Sequence, residues 1–234
     1  MQRIYRVVGG AEQPSPLAIR DAASVLTAGG LALVPTETVY GIGVSVAAYA
    51  SEPNMPADTT GYGRIFTLKR RDVRQTVPWL VGGEEALDAF GADVPHEIRV
   101  LARAFWPGAL TLIVKASDAV PPFMQADDGT VALRASASPV IQALVRACGS
   151  PLAVTSANTH GAPAPTAFRD VEPRVLAGVD AAIDAGATVC DGASTIVAVV
   201  DGTYRIVREG PISRERIERA LANAAPTDSD TKGL

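Results

Sequence analysis

The sequence predicts a single α/β domain, built as a twisted mixed sheet of parallel and antiparallel strands with helices packed on it. Three observations predict this class. The 234 residues are 47 % hydrophobic and 20 % charged, which is typical of a folded chain. Short apolar runs of strand length lie between stretches of helical spacing, without a strict βαβ alternation. No repeat or linker divides the chain, so we expect one domain over 12–223 and a disordered tail over 224–234.

The first part of the chain begins with a helix and then becomes irregular. Residues 16–28 carry apolar side chains at helical spacing, with a proline at the start and two glycines after the end, which predicts a helix. The apolar run 31–35 predicts a buried strand, and the polar segment 36–43, which ends in glycine, follows it. Residues 47–63 contain two Pro and two Gly and little periodicity, which predicts a surface loop. Two further apolar runs flank a basic stretch, at 64–68 and 79–81.

The second part shows clearer patterns. Residues 85–104 predict two helical pieces broken near Pro95, residues 139–149 predict a helix stopped by glycine, and residues 213–223 predict a last helix with a serine cap. The other apolar runs predict strands. These runs are 109–115, 131–134, 151–158, 180–186, 194–201 and 204–210.

Charge and cysteine content argue against several classes of protein. The formal net charge of −4 gives no reason to expect tight nucleic-acid binding. No apolar run approaches the roughly 18–20 residues of a membrane span, and the N-terminus lacks the apolar core of a signal peptide, so we expect a cytoplasmic protein without membrane contact. Cys148 and Cys190 form no CxxC motif and are expected to be buried thiols. With only two histidines, a zinc site is not expected.

Four segments place polar or charged groups where predicted strands end, and chemistry tends to lie at such ends. Residues 35–43 offer hydroxyls, a carboxylate, a phenol and two glycines that let a ligand approach the backbone, although a capped turn explains them equally. The run Lys69-Arg70-Arg71 can bind a polyphosphate or form a solvated basic face. The segment Thr155-Ser156-Ala157-Asn158 can bind phosphate or ribose, or form an ordinary turn. Arg134 and Arg208 end apolar strands, so each should meet a protein carboxylate or a ligand anion.

These segments occur in the order found in one known family. The motifs are PTETVYGIG (35–43), Lys69-x-Arg71, FWPGALTLIV (105–114), GTVALR (129–134), TSAN (155–158) before GAPAPT (161–166), and STIV (194–197) before Arg208. No single motif is decisive, but six in order are specific. The chain therefore resembles the YrdC-type threonylcarbamoyl-AMP synthases over about residues 15–220, and the resemblance implies a YrdC-like fold with a positively lined concave face.

The resemblance also implies an activity. Members of this family are nucleotidyltransferases that make threonylcarbamoyl-AMP and pyrophosphate from L-threonine, bicarbonate and ATP, with Mg²⁺ entering with the ATP. The product feeds the N6-threonylcarbamoyladenosine modification of tRNA through a separate downstream transferase, and an RNA contact is linked to the family.

Roles for individual residues follow from the same resemblance. Lys69 and Arg71 match the family's KxR motif and are the expected catalytic residues. The expected ATP-binding residues are Lys69, Arg71, Thr130, Ser156, Asn158 and Arg208. The expected threonine-binding residues are Thr36, Tyr40, Arg134 and Ser194, and no protein metal ligand is expected.

The sequence departs from the usual family pattern at several places, including the segment 47–63 that replaces a family helix and Glu209 where Pro is usual. Lys69-Arg70-Arg71-Asp72 stands where K-G-R-P is usual, and Thr159-His160-Gly161 stands where Leu-Ser-Gly is common. Two alternatives to the synthase therefore stay open. One is a family paralogue that serves another carbamoyl or adenylate substrate, and the other is an RNA-binding module that uses a basic concave face.

Overall fold

A computed structural model describes residues 3–6, 15–190, 192–200 and 202–224. The predicted domain start at residue 12 lies outside the described residues. Of the tail predicted over 224–234, residues 225–234 lie outside them too, and residue 224 is the last residue of a helix. None of the helices in the described ranges combines the length and the apolar character needed to cross a membrane.

Strands and helices are interspersed along these ranges. The strands are β1 (Arg3–Arg6), β2 (Ala32–Pro35), β3 (Tyr40–Ser45), β4 (Trp79–Val81), β5 (Leu110–Lys115), β6 (Thr130–Ala135), β7 (Leu152–Ser156), β8 (Ala181–Asp184), β9 (Thr195–Val200) and β10 (Thr203–Arg208). The helices are α1 (Pro16–Thr27), α2 (Gly61–Lys69), α3 (Ala86–Phe90), α4 (His96–Phe105), α5 (Pro139–Cys148), α6 (Pro173–Ala177) and α7 (Arg214–Ala224). Short 3₁₀ turns lie at Ala47–Tyr49, Pro122–Met124 and Phe168–Asp170.

The described strands form one mixed sheet in the order β1-β8-β2-β3-β7-β4-β6-β5-β9-β10. The pairs β1–β8, β2–β8, β4–β6 and β5–β9 are parallel, and the other neighbouring pairs are antiparallel. The predicted fold class, one α/β domain on a mixed sheet, is confirmed. In the β2–β3 hairpin Pro35 faces Tyr40, which places residues 36–39 at its tip.

Two apolar clusters lie on opposite faces of the sheet. Because neighbouring residues of a strand point to opposite faces, Leu33 of β2 belongs to one cluster and Val34 to the other. Helices α1 and α5 cover the Val34 face, where they contact β2, β3, β4 and β8. Arg134 of β6 lies directly beside Leu80 of β4 on this same face. Two cavities described below adjoin this face. Residues of β3, β4, β5, β6 and β7 line the first, and residues of β5, β6, β9 and β10 line the second.

The largest departure from the predicted elements lies between residues 36 and 69. Residues 40–45 form a buried strand, because Gly43 lets β3 lie so close to β7 that an added Cβ would stand 2.5 Å from the Ala153 carbonyl oxygen. The predicted loop ends early, since Thr60 accepts a hydrogen bond from the Gly63 amide at 3.2 Å and caps α2. The apolar run 64–68 is therefore helical.

Both cysteines are half-buried rather than fully buried. Burial raises the pKa of the Cys148 thiol to about 11, so this thiol is protonated at neutral pH. Among the described residues, no group of three or more His, Cys, Asp or Glu is arranged to hold a metal ion.

Candidate active site

A cavity of about 590 Å³ opens on the sheet face beside α1 and α5. The charged side chains that line it are cationic. There are five of them, and within the described residues no carboxylate lines the cavity. The cations are Lys69, Arg71, Arg74, Arg134 and Arg208. The rest of the polar lining consists of hydroxyl and amide groups and one imidazole, namely Thr36, Thr38, Gln75, Thr76, Thr111, Thr155, Ser156, Asn158, His160 and Ser194. A concave surface with this charge attracts an anion.

Lys69 brings a buried ammonium group to the cavity. It is the last residue of α2, and 2 % of its surface is exposed. Its Nζ donates to the main-chain carbonyl oxygens of Ser156 at 2.5 Å and Asn158 at 2.9 Å. Burial, and to a smaller extent the Arg71 charge, lower the pKa of Lys69 to about 8, although the Glu172 charge acts in the opposite direction. The ammonium is therefore charged at neutral pH while being poorly solvated.

Arg71 reaches the same cavity because the chain turns sharply after α2. Arg70 takes the left-handed conformation, with φ 51°. The Arg71 Nη1 donates to Thr155 Oγ1 at 3.1 Å, and its Nη2 donates to the Thr76 carbonyl oxygen at 2.6 Å. Its Nε is buried without an acceptor, and burial lowers the pKa of the guanidinium. A ligand oxygen at this position would satisfy the unpaired N–H.

The loop after β7 supplies Ser156 and Asn158. The Asn158 side-chain amide donates to the Ala162 carbonyl oxygen at 2.5 Å, which closes the loop. Glu172 accepts hydrogen bonds from the Thr159 amide and the Thr159 hydroxyl, both at 2.8 Å, and these bonds fix the position of Thr159 beside Asn158. Asn158 and Lys69 are therefore held together by internal contacts of the protein.

The tip of the β2–β3 hairpin forms another wall of the cavity. The Thr36 hydroxyl donates to the Val39 carbonyl oxygen at 2.7 Å and closes the turn. Glu37, in the same turn, pairs with Arg134 of β6 at 2.6 Å. Burial alone would raise the pKa of Glu37, but the Arg134 charge and the hydrogen bonds from Ser136 and Arg134 outweigh it and hold that pKa below its usual range. The Glu37 carboxyl is therefore ionised at neutral pH and forms an ion pair with the Arg134 guanidinium.

Ser194 and Arg208 approach from the β9 and β10 side. The Ser194 and Thr111 hydroxyl oxygens are 2.8 Å apart. The Arg208 Nε and Nη2 donate to the Ser194 carbonyl oxygen at 3.0 and 2.8 Å. Burial lowers the pKa of Arg208, and the nearby Arg134 charge lowers it further. Two arginines thus repel each other across this part of the cavity, and an anion between them would relieve the repulsion.

Most predicted site residues meet in this cavity, but Thr130 lies in a second one. That cavity has a volume of about 490 Å³, and the Thr130 hydroxyl there donates to Asp128 Oδ1 at 2.6 Å. Thr76 and Ala126 line both cavities, so the two adjoin.

Tyr40, predicted to wall the site, is fully buried and does not line the cavity in the described structure. Its ring belongs to the apolar cluster on the opposite face of the sheet. Its hydroxyl donates to the Gly186 carbonyl oxygen and accepts from the Ala185 amide, both at 2.9 Å. Tyr40 therefore stabilises the hairpin through contacts on the face of the sheet opposite the cavity, because strand alternation turns its side chain to that face.

Sequence reasoning missed several residues that line the cavity. Thr38 and Thr111 lie inside the motifs PTETVYGIG and FWPGALTLIV, so those motifs contained the signal. Arg74 also lines the cavity, and its place just after the basic run 69–71 is a sequence signal for it. His160 lines the cavity too, but no spacing or motif indicates its role.

The chain is similar to known proteins in both sequence and structure. A sequence profile named for Sua5, YciO and YrdC, described as telomere recombination, matches residues 24–210. A Mycobacterium tuberculosis protein provisionally named threonylcarbamoyl-AMP synthase is 34 % identical over 203 residues, which span 87 % of this chain and 88 % of that protein. The threonylcarbamoyl-AMP synthase of Pyrococcus abyssi is 31 % identical over 203 residues, which span 87 % of this chain and 57 % of that protein.

Two solved structures resemble this one closely. The P. abyssi Sua5 structure complexed with L-threonine gives a TM-score of 0.81 at 30 % identity and covers 94 % of this chain. The chain spans 60 % of the length of that Sua5 structure. Escherichia coli YciO gives a TM-score of 0.76 at 21 % identity, covering 90 % of this chain and 97 % of YciO, which shows a shared fold.

Proposed function

The chain belongs to the Sua5/YciO/YrdC family, and from this membership we propose that it is an L-threonylcarbamoyladenylate synthase. It would convert L-threonine, bicarbonate and ATP into threonylcarbamoyl-AMP and pyrophosphate, which makes it a nucleotidyltransferase. The names of the sequence relatives and the threonine complex of P. abyssi Sua5 support this proposal.

One observation in the structure carries the proposal. Lys69, Arg71 and Arg208 line the cavity, and within the described ranges none of the three forms an ion pair. Partly buried cations without a counter-charge cost free energy, which a bound polyanion would recover. A triphosphate supplies that counter-charge and accepts hydrogen bonds from both lysine and arginine.

ATP fits the pair of adjoining cavities. In this assignment its phosphates lie against Lys69 and Arg71, with Ser156 and Asn158 beside them. The second cavity, lined by Thr130 and by apolar side chains such as Ile113, would take the adenosine end. Arg208 faces the first cavity from β10 and would neutralise the remaining phosphate charge.

Threonine fits the hairpin end of the first cavity, against Thr36, Arg134 and Ser194. Its amine and bicarbonate give a carbamate and water. A carbamate oxygen then attacks the α-phosphorus, and the bond from that phosphorus to the pyrophosphate oxygen breaks. Negative charge grows on the phosphoryl oxygens, so the fixed cations Lys69 and Arg71 would provide the catalysis.

Mg²⁺ would enter as part of the ATP substrate. The described lining of the first cavity, where the phosphates would lie, offers hydroxyls and amides but no carboxylate, so the phosphates would supply most of the Mg²⁺ ligands.

The product is a reactive carbamoyl adenylate that must pass to an acceptor. We place the enzyme in the cytoplasm, upstream of a separate tRNA threonylcarbamoyl transferase. The cationic cavity gives an RNA contact some electrostatic support.

Pyrophosphate release from ATP and bicarbonate, measured across a panel of amino acids, tests the proposed function. We expect release only with L-threonine, with threonylcarbamoyl-AMP identified by mass. ATP binding without threonine-dependent release would instead indicate a paralogue with another substrate. Absence of ATP binding together with salt-dependent RNA affinity would indicate an RNA-binding module.

The pH dependence of the reaction tests the charge on Lys69. Because the pKa of Lys69 is lowered to about 8, the ammonium is charged below that pH and loses its proton above it. We expect kcat/KM for ATP to fall roughly tenfold per pH unit above pH 8, since kcat/KM reports groups of the free enzyme. Lys69→Arg keeps a charge throughout and should remove this fall. A wild-type profile that stays flat to pH 9.5 would contradict the assignment.

A further inference from the structure

Arg74 lines the first cavity but has no part in the proposed placement of ATP. Its side chain is 75 % exposed, and it forms an ion pair with Asp72, whose side chain is 43 % exposed. An ion pair this exposed contributes little to stability. The stability of the loop therefore does not account for an arginine at the cavity.

Asp72 holds one edge of the Arg74 guanidinium. The Arg74 Nε donates to Asp72 Oδ1 and Oδ2, both at 3.2 Å, and Nη2 donates to Oδ2 at 2.7 Å. The Arg74 main-chain amide donates to Oδ1 at 3.0 Å, which fixes the backbone as well. Nη1 has no hydrogen-bond partner among the described residues. The guanidinium is therefore held in one orientation while Nη1 is available to a ligand.

Arg74 lies where the two cavities adjoin. Thr76 and Ala126 line both cavities, whereas Arg74 lines only the first of them. The hydrogen bonds and the charge of Asp72 raise the pKa of Arg74. The Asp127 charge raises this pKa further, so Arg74 also lies near residue 126. The guanidinium is therefore on the first cavity's side of the junction.

This junction corresponds to one phosphate of ATP. With the adenosine end in the second cavity and the phosphates in the first, the α-phosphate is the phosphate nearest the adenosine, so it lies at the junction. Arg71 reaches the same place, since its Nη2 donates to the Thr76 carbonyl oxygen at 2.6 Å. An N–H of Arg74 Nη1 directed at an α-phosphate oxygen would add a charge-assisted hydrogen bond there.

We propose that Arg74 is a further catalytic residue, which binds the α-phosphate of the nucleotide where the two cavities adjoin. This inference rests on the proposed function, because it takes ATP to span the two cavities. The α-phosphorus is the atom that the carbamate oxygen attacks, and its phosphate stays in threonylcarbamoyl-AMP. Arg74 therefore contacts both substrate and product, and the contact strengthens as negative charge grows on the phosphoryl oxygens.

Displacement of a fluorescent ATP analogue by AMP and by ATP, without threonine or bicarbonate, tests which phosphate Arg74 contacts. Arg74→Gln keeps a polar side chain but removes the charge. We expect it to bind AMP and ATP about tenfold more weakly, by the same factor for both, because both carry the α-phosphate. Arg70→Gln is the matched control. It removes an equal charge at a nearby exposed position that does not line the described cavity, and both affinities should stay within twofold.

Three results would overturn the inference. They are unchanged affinities in Arg74→Gln, a loss of affinity for ATP alone, which would place Arg74 at a terminal phosphate, and an equal loss in Arg70→Gln. Thermal unfolding should show that Arg74→Gln is as stable as wild type. Arg74→Lys keeps the charge and should restore part of the lost affinity for both nucleotides, and restoration for ATP alone would count against the α-phosphate contact.

Pyrophosphate release by the same proteins separates this inference from the proposed function. Threonine-dependent release by a wild-type protein whose nucleotide affinities do not depend on Arg74 would refute the inference alone. Affinities that depend on Arg74 in a protein without threonine-dependent release would support the Arg74 contact and refute the proposed function. A wild-type protein that binds neither nucleotide would refute both.

Discussion

Replacing Lys69 with alanine should lower kcat/KM for ATP by on the order of 10³-fold and leave the protein folded. The loss follows from the position of the ammonium, which is held among the Ser156 and Asn158 oxygens and is 2 % exposed. A fixed, poorly solvated cation stabilises developing phosphoryl charge more than a mobile one in water. The fold should survive because the residue borders a cavity, where water can enter and bond to the freed carbonyl oxygens.

The measurement is pyrophosphate release at saturating threonine, with thermal unfolding in parallel. Arg70→Gly is the matched control. It removes the neighbouring cation, which is exposed and does not line the described cavity, at a left-handed position that suits glycine. The control should keep wild-type turnover. Arg71→Ala should behave like Lys69→Ala, and wild-type turnover in either alanine variant would show that its phosphate role is wrong.

Replacing Gly43 with alanine should destabilise the protein by about 3 kcal/mol, at the upper end of the usual cost of overpacking. A Cβ there would stand 2.5 Å from the Ala153 carbonyl oxygen and 2.5 Å from Val154 Cγ2. Neither contact can be relieved by turning a flexible side-chain end, because one partner is backbone and the other is a buried branched side chain. β3 and β7 would have to separate.

Turnover should fall with stability in this variant, since β3 and β7 carry the two sides of the site. The 36–39 turn precedes β3, and Ser156 and Asn158 lie at the end of β7. Urea unfolding gives the free energy of unfolding, and pyrophosphate release gives the activity. Gly192→Ala is the control, because nothing lies within 4 Å of its Cβ position, and its effect should stay within about 0.5 kcal/mol. Equal stability of the two variants would refute the close approach of β3 and β7.

Local sequence patterns correctly predicted the elements in which apolar residues recur at helical spacing or form a short apolar run of strand length. Helices α1 and α5 and strands β2, β5 and β9 lie close to where the apolar spacing indicated. The same patterns failed for β3 and α2. Gly41 and Gly43 hide the strand character of β3. Two prolines before α2 and two glycines in its first turn suggested a loop that continues into the helix.

For the site, the sequence determined which chemical groups are present and their order along the chain: the KxR cations, the SxN loop, the arginine near the end of β6 and the arginine at the end of β10. Tertiary structure alone decided how these groups are used. It placed Tyr40 on the far face of the sheet and Thr130 in a second cavity, and it committed Arg134 to Glu37. The physical reason is that these outcomes depend on contacts between segments distant in the chain. Residues 37 and 134 meet because β2–β3 and β6 belong to one sheet, and no local pattern reports that distance.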